Sequence, residues 1–357
     1  MDSIRKEQGW ELKSSFNYEI NTVHNSEAYQ SALQLSKESD VIIIGSAPEI
    51  FVKERMKYRA DGITYRYSER IYKRGKWRFL SPRGVIKRMD TYFRFHNRKL
   101  YMLCASAYTS ADLMLHGSYL GKCYKWGYFP ETIHYSLDDL MAKKVKGKTE
   151  LLWCGRFIKC KHPEAAITLA ILLKKQGIDF ALNIIGSGER ENMIRTMITE
   201  NKLEECVYLL GVMKPEQVRT KMEESNIFLI TSDFQEGWGA VVNEAMNSGC
   251  AVVASHAVGC APFLINNGIN GFIYKNGNIN SLYRKVKELM LNRQLCENLG
   301  RKAYETIACE WNAEVAAKRL LLLTRDLMDK GHSKRFLSGP CSKADIIKNN
   351  WYSDKKN

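Results

Sequence analysis

The stretch TSDFQEGWGAVVNEAMNSGCAVVAS, Thr231 to Ser255, decides how the chain is read. Two glutamates, Glu236 and Glu244, stand either side of Gly237-Trp238-Gly239, with an apolar run beyond each. On one unbroken helix the two acids would lie about 80° apart around the axis. The glycines argue against such a helix, because Gly costs about 1 kcal/mol relative to Ala in a helix interior. Glu236 is therefore expected in a loop after the strand-like run IFLITS. A helix is expected to start near Gly239, with Val241, Val242, Ala245 and Met246 on its apolar face and Glu244 one turn in. A glycine-lined helix start at the carboxyl end of a strand presents free N–H groups and a positive dipole end to an anion. Carboxylates on either side accept hydrogen bonds from vicinal hydroxyls. Phosphates with hydroxyls describe a nucleotide-sugar; the competing reading is a pair of glutamates that cap the helix and face solvent.

Working outward, strand-like runs recur at ELLWCG from Glu150, FALNIIG from Phe180, VYLLG from Val207, CAVVAS from Cys250 and GFIY from Gly271. Helical stretches separate most of them. HPEAAITLAILLKKQG opens with Pro and closes on Gly, as helices prefer, and KPEQVRTKMEES repeats that opening. Regular alternation of strand and helix predicts a parallel sheet covered on both faces, with ligands at the carboxyl ends of its strands. The first half is patchier. SDVIIIGSAP reads as a buried strand with a Gly/Ser/Pro loop, and GITYRYSER and KLYMLCASAYTSADLM as further strand-to-helix transitions. The domain link is placed in KCYKWGYFPE, Lys122 to Glu131, and the tail after the last helical stretch is polar. These readings divide the chain into 1–135, 136–310, a helix over 311–330 and a tail over 331–357.

A second cluster favours the anion reading. WCGRFIKCKHPE puts Arg156 and Lys161 in a strand-to-helix loop, where an Arg fork and a Lys point charge suit phosphate. Gly186-Ser187-Gly188 is weak evidence for NAD, since the third glycine of the dinucleotide fingerprint is replaced by Glu191.

The chain has 357 residues, enough for two domains, and its 45% hydrophobic and 26% charged content is that of a globular protein. No apolar run approaches the roughly 20 residues that span a bilayer, and the first residues lack a signal-peptide core. Ten cysteines without ligand spacing suit reduced thiols in a cytoplasmic protein. Of the net +15, most lies between Lys53 and Lys99, where 16 Lys/Arg face 4 Asp/Glu. Tyr72, Trp77 and Phe79 interleave those charges. A nucleic-acid patch lacks any supporting motif, which leaves an anionic membrane surface, a phosphorylated ligand or a merely solvated basic face.

The segments CGRFIKCKHPE, IIGSGERE, LLGVMKPEQV, TSDFQEGWGAVVNEAMNSGCAVVAS and NGINGFIY occur in the order found in family 4 retaining glycosyltransferases. The chain resembles the bacterial members that assemble cell-surface polysaccharides, strongly from Leu151 to Leu323 and more weakly from SDVIIIGSAP to KWGYFPE. Glu236 and Glu244 fit the family's Glu-x7-Glu motif. The resemblance implies an α/β GT-B fold, two Rossmann-like domains facing a cleft, with the last helix crossing back to the first domain. It implies that Arg156 and Lys161 bind and stabilise the departing diphosphate. Glu236 and the backbone of Gly237, Trp238, Gly239 and Ala240 would meet the donor sugar and phosphate, and Glu244 the ribose. Gly211 and Val212 would lie beside the nucleobase, and Gly186 in a loop near the donor.

The family relationship further implies a UDP- or GDP-linked sugar as substrate, no cofactor, and metal-independent transfer, consistent with the lack of an Asp-x-Asp in SLDDLM. The acceptor is expected to be a glycan or polyprenyl-diphosphate-linked molecule, met at the inner face of the plasma membrane through the basic 53–99 segment, and nucleic acid is not expected. Two departures stand out. The family's first strand, glycine loop and helix are not visible before EQGWELKSSFNYEI, so the N-terminal sheet is expected to lack its first strand; and Phe263 in GCAPF replaces a usual acid. Glu69 and Arg70 are the candidates for acceptor or sugar contacts, Glu69 for a catalytic role; His116 reads as structural. The rivals are a non-catalytic nucleotide-sugar-binding relative and an NAD-dependent Rossmann enzyme.

Overall fold

The structure is a computed structural model that describes residues 22, 25–75, 82–144 and 147–354. Trp77 and Phe79 of the basic stretch lie outside the described residues. The chain divides into two compact units. One comprises Tyr128–Ala316 with the tail from Asn349; the other comprises the described residues up to Gly127 with Ala317–Lys348.

The N-terminal unit begins with α1 (Ser26–Glu38), β1 (Val41–Ile44), α2 (Glu49–Tyr58) and β2 (Ile63–Ser68). It continues through α3 (Pro82–Arg88), a π-helical turn (Met89–Phe93), β3 (Leu100–Cys104), α4 (Thr109–Met114) and β4 (Cys123–Lys125). The strands are parallel in the order β1-β2-β3-β4. Two expectations are corrected here, those for the run VIII and for the polar tail. The run VIII is, among the described residues, an edge strand, and Val41 and Ile43, which share one of its faces, are exposed. KCYKWGYFPE opens with the strand β4, and the two units divide within it, between Gly127 and Tyr128. The polar tail is partly built into the sheet: Lys343 bridges Tyr124 in antiparallel fashion and Cys341 is buried.

The C-terminal unit alternates strand and helix throughout. After α5 (Leu137–Ala142) come β5 (Thr149–Cys154), a 3-10 turn (Lys159–Lys161), α6 (Pro163–Lys175), β6 (Phe180–Ile185) and α7 (Glu191–Glu200). Then follow β7 (Val207–Gly211), α8 (Pro215–Glu224), β8 (Ile227–Ile230), α9 (Ala240–Asn247), β9 (Ala251–Ser255), α10 (Ala261–Leu264) and β10 (Phe272–Tyr274). The unit closes with α11 (Ile279–Leu291), α12 (Arg293–Cys309) and the start of α13 (Ala313–Lys330). Six parallel strands run in the order β10-β9-β8-β5-β6-β7. Their side chains alternate between two cores, Leu151 and Trp153 to one face and Leu152 to the other, so both faces are buried and the strands read as continuous apolar runs. Leu323 and Leu327 of α13 join the core of the other unit, with Ile63, Tyr65 and Leu103.

The buried Lys144 ammonium donates to the carbonyls of Met222 (2.9 Å), Ser225 (2.8 Å) and Ser248 (2.6 Å). It ties the chain after α5 to the ends of α8 and α9, and burial lowers its pKa.

Candidate functional site

Strand order places the site. From β5 the chain builds outward to β6 and β7, then returns to the other side of β5 with β8, β9 and β10. Beyond the carboxyl ends of β5 and β8 the two loops diverge, and such a switch point is where open α/β sheets hold ligands. Lys161, from the loop after β5, and Glu236, from the loop after β8, form an ion pair there. Ser232 Oγ donates a second hydrogen bond to Glu236 Oε2 at 3.0 Å. The loops are stitched together beneath this pair. Trp153 Nε1 donates to Thr231 Oγ1 (2.8 Å); the Thr231 hydroxyl in turn reaches the carbonyl oxygens of Lys161 (2.7 Å) and His162 (2.9 Å). The Asp233 N–H donates to the Cys160 carbonyl at 2.9 Å.

The helix start is built as the Gly-Trp-Gly spacing predicts. Gly239 has φ +92°, and a Cβ there would stand 2.9 Å from Val258 Cγ1 and 3.3 Å from Ile230 Cδ1, so only glycine fits without strain. α9 follows at once with no side chain capping its N-terminus, which leaves its first N–H groups to solvent or a ligand. The Trp238 indole is fully buried against Trp311 and Phe263 and donates to Asn243 Oδ1 at 2.9 Å. The indole therefore anchors the loop, and Gly237 to Ala240 have only backbone to offer a ligand. Phe263, in place of an acid, belongs to the same aromatic stack, 6.1 Å from Trp311.

Glu244, partly buried on α9, has a carboxyl pushed above its ordinary value by desolvation, which the nearby Arg219 charge only partly offsets. Its charge helps burial to raise the thiol of Cys154, at the end of β5, to about 12. Arg219 donates to the Glu244 carbonyl (3.2 Å) and to Asn247 Oδ1 (3.1 Å). Among the described residues nothing hydrogen-bonds the Glu244 carboxylate, a partly buried acceptor with capacity to spare. Arg156 is exposed and makes no ion pair among the described residues.

The Gly-Ser-Gly loop after β6 has a local explanation. Gly186 has φ +131°, and a Cβ there would lie 1.9 Å from the Gly155 carbonyl oxygen; one on Gly188 would lie 2.8 Å from that of Phe157. Phe157 N donates to Ser187 O (2.8 Å) and Gly186 N to Gly211 O (2.8 Å). These glycines let the loop press on the Arg156-bearing loop, which accounts for them without a dinucleotide. Gly211 ends β7 and Val212 beside it is exposed.

Residues 140–306 match the family model for glycosyl transferases group 1. This segment is a group 1 glycosyltransferase domain. The chain is 28% identical over 201 residues to the amylovoran biosynthesis glycosyltransferase AmsK of Erwinia amylovora, covering 55% of this chain and 48% of that protein. It is 26% identical to the putative colanic acid biosynthesis glycosyltransferase WcaL of Salmonella typhimurium, covering 60% and 57% of the two. The chain thus spans about half the length of these curated relatives. Anabaena HepE in complex with UDP superposes with a TM-score of 0.64 at 16% identity, covering 84% of this chain and 82% of that one. A glycosyltransferase from Rickettsia africae gives 0.64 at 15%, covering 92% and 89%. The fold is the GT-B type, two parallel-sheet α/β units.

The group 1 domain contains Arg156, Lys161, Glu236, Glu244 and the glycines, and it joins Lys161 to Glu236 directly. Glu69 and Arg70 lie in the other unit. The guanidinium of Arg70, a candidate for acceptor or sugar contacts, is buried, 3.3 Å from Asp112 and 4.9 Å from the centre of the Tyr108 ring. Glu69 pairs with Lys73, and buried His116 meets the Tyr72 hydroxyl at 2.6 Å. Sequence reading missed His162 and Asp233, whose side chains meet at 3.2 Å across the two site loops. The only signal was a histidine between Lys161 and the helix-opening Pro163.

Proposed function

We propose that the chain transfers a hexose-type sugar from a UDP- or GDP-linked donor to a glycan or polyprenyl-diphosphate-linked acceptor in surface polysaccharide synthesis. Transfer proceeds with retention and without a metal ion. The observation that carries this reading is the Lys161–Glu236 pair at the switch point beside the uncapped N-terminus of α9. Glu236 turns toward the donor sugar and Glu244 accepts from the ribose hydroxyls. As the bond from the anomeric carbon to the diphosphate oxygen breaks, negative charge gathers on the leaving nucleotide. Lys161, Arg156 and the α9 N–H groups balance that charge where it develops. Neighbours solved with UDP support a nucleotide donor.

The test is a donor screen with UDP- and GDP-sugars and a lipid-linked acceptor extract, reading free nucleotide and labelled glycan. Turnover with one donor is expected. Binding without turnover would favour the non-catalytic relative, and neither binding nor turnover would overturn the proposal.

Localisation at the inner face of the plasma membrane is part of the same proposal. No helix among the described residues is long and apolar enough to cross a membrane. The basic segment is less of a surface than its composition suggests, because Arg55, Arg66 and Arg70 are buried. Arg66 pairs with Glu49, and Lys53 with Asp90 at 2.8 Å. Lys57, Arg74, Arg94, Arg98 and Lys99 remain exposed. Flotation with phosphatidylglycerol vesicles should be strong at low salt and fall at about 0.5 M, where the Debye length shrinks to a few ångströms. Equal flotation with zwitterionic vesicles would contradict an electrostatic attachment.

A further inference from the structure

His162 does more than precede a helix. Its ring lies between two carboxylates from different elements: Nδ1 is 2.9 Å from Glu164 Oε1 on α6, and Nε2 is 3.2 Å from Asp233 Oδ2 in the loop after β8. Glu164 is held from its other side by Arg190, at the start of α7, with Nη1 3.0 Å from Oε2. Asp233 also accepts from Gln235 N at 2.8 Å, one residue before Glu236. A chain of alternating charge, Arg190–Glu164–His162–Asp233, therefore links the three loops that carry the site. The other charged groups around it are Lys159, Lys161, Glu189 and Glu236. His162 sits at φ +49°, ψ +54°, a left-handed conformation that costs a residue with a Cβ about 1–2 kcal/mol. Glycine would adopt it freely, so the strain is accepted for the sake of the side chain.

We propose that His162 is a positioning residue: as an imidazolium bridging Glu164 and Asp233, it clamps the loop after β5 to the loop after β8 and so fixes Lys161 against Glu236. This rests on the transferase reading of the site. Without the clamp, among the described residues, what still joins the two loops is the Thr231 hydroxyl, the Asp233–Cys160 backbone contact and the Lys161–Glu236 pair itself. Lys161 then loses the register in which it meets Glu236, and a misplacement of about 1 Å can cost on the order of 100-fold in rate.

The ring's charge follows from its neighbours. Hydrogen bonds to Asp233 and then Glu164 raise its pKa to about 9, against the lesser penalty of burial. Burial alone would push the Glu164 and Asp233 carboxyls up, but hydrogen bonds, first from His162, hold both below their ordinary values. A raised folded pKa means that the clamp's contribution is complete below the unfolded value near 6.5. It is lost as pH rises through about 9.

The experiment pairs His162→Gly, which removes the ring and relaxes the backbone, with Asp233→Asn, which keeps the shape and removes one charge. In full-length wild type, NMR titration of the His162 ring should give a midpoint near 9, and Asp233→Asn should shift it toward 6.5. Titration near 6.5 in wild type would overturn the clamp whatever the activity. In kinetics with the donor found by the screen, wild type should lose kcat/KM above pH 9. His162→Gly should fall 10- to 100-fold at pH 7.5, lose that alkaline limb, and bind UDP or GDP several-fold more weakly, while its melting temperature falls by only a few degrees because relief of the left-handed strain offsets part of the lost clamp. Wild-type kcat/KM and an unchanged pH profile in His162→Gly would overturn the positioning role. A wild-type chain that neither binds nucleotide nor transfers sugar would instead overturn the transferase reading, while the ring titration would still decide the clamp.

Discussion

Lys161→Ala is expected to lower kcat/KM by about 100- to 1000-fold, the loss seen when one fixed donor to developing charge is removed from a preorganised site. The substitution acts in two places. On the proposed reading it takes away a cation that balances the leaving diphosphate, and it leaves Glu236 without its ion partner, with the Ser232 hydroxyl as its remaining side-chain partner among the described residues. A carboxylate freed in this way repels the donor phosphates it formerly sat beside, so weaker donor binding should accompany slower turnover. The fold should survive, because the carbonyl of residue 161 still accepts from Thr231. Steady-state kinetics with a thermal melt check this directly. Activity within threefold of wild type at an unchanged melting temperature would remove Lys161 from the machinery.

Gly186→Ala should be the most destabilising single methyl in the group 1 domain. Its φ of +131° is foreign to L-residues, and the new Cβ would fall 1.9 Å from the Gly155 carbonyl oxygen, a backbone atom that cannot swing aside. Relief requires separating the loop after β6 from the loop after β5, with loss of the Phe157–Ser187 and Gly186–Gly211 hydrogen bonds. A cost of roughly 3 kcal/mol or more follows, a melting temperature lower by about 6–12 °C for a domain of this size. Activity should fall as well, since Arg156 rides on the displaced loop. Gly211→Ala is the control: its φ is +69° but nothing lies within 4 Å of the added methyl. It should cost only about 1–2 kcal/mol. Equal melting shifts in the two variants would show that the loop contact is not what fixes Gly186.

The C-terminal sheet was legible because most of its strands are short apolar runs buried on both faces and bounded by glycine or a helix opener, the edge strand β7 with its exposed Tyr208 being the exception. The start of α9 was legible for a related reason: Gly-Trp-Gly cannot continue a helix, and the left-handed Gly239 is where one begins. The N-terminal unit resisted reading because charge there does not report exposure. Arg55, Arg66 and Arg70 look like surface cations in sequence, yet each is folded inward onto carbonyls, a carboxylate or a ring that periodicity does not reveal. The run VIII likewise looks like a core strand but lies at a sheet edge, and no pattern within four residues states how many neighbours a strand has. At the site, Glu236 and Glu244 were found because one short motif holds both. His162 and Asp233 were missed because their relation is tertiary, two loops brought together only by β5 lying next to β8.

On the proposed function, the crevice over β5 and β8 holds a nucleoside diphosphate by its phosphates and ribose. Calorimetric titration of the wild-type chain and of Glu244→Gln with UDP and GDP tests it most directly. Wild type should bind one of the two, and Glu244→Gln, which keeps the volume but gives up carboxylate acceptance, should weaken that binding by about 10-fold, on the order of one charge-assisted hydrogen bond. No heat with either nucleotide, or equal affinity in wild type and Glu244→Gln, would contradict the account.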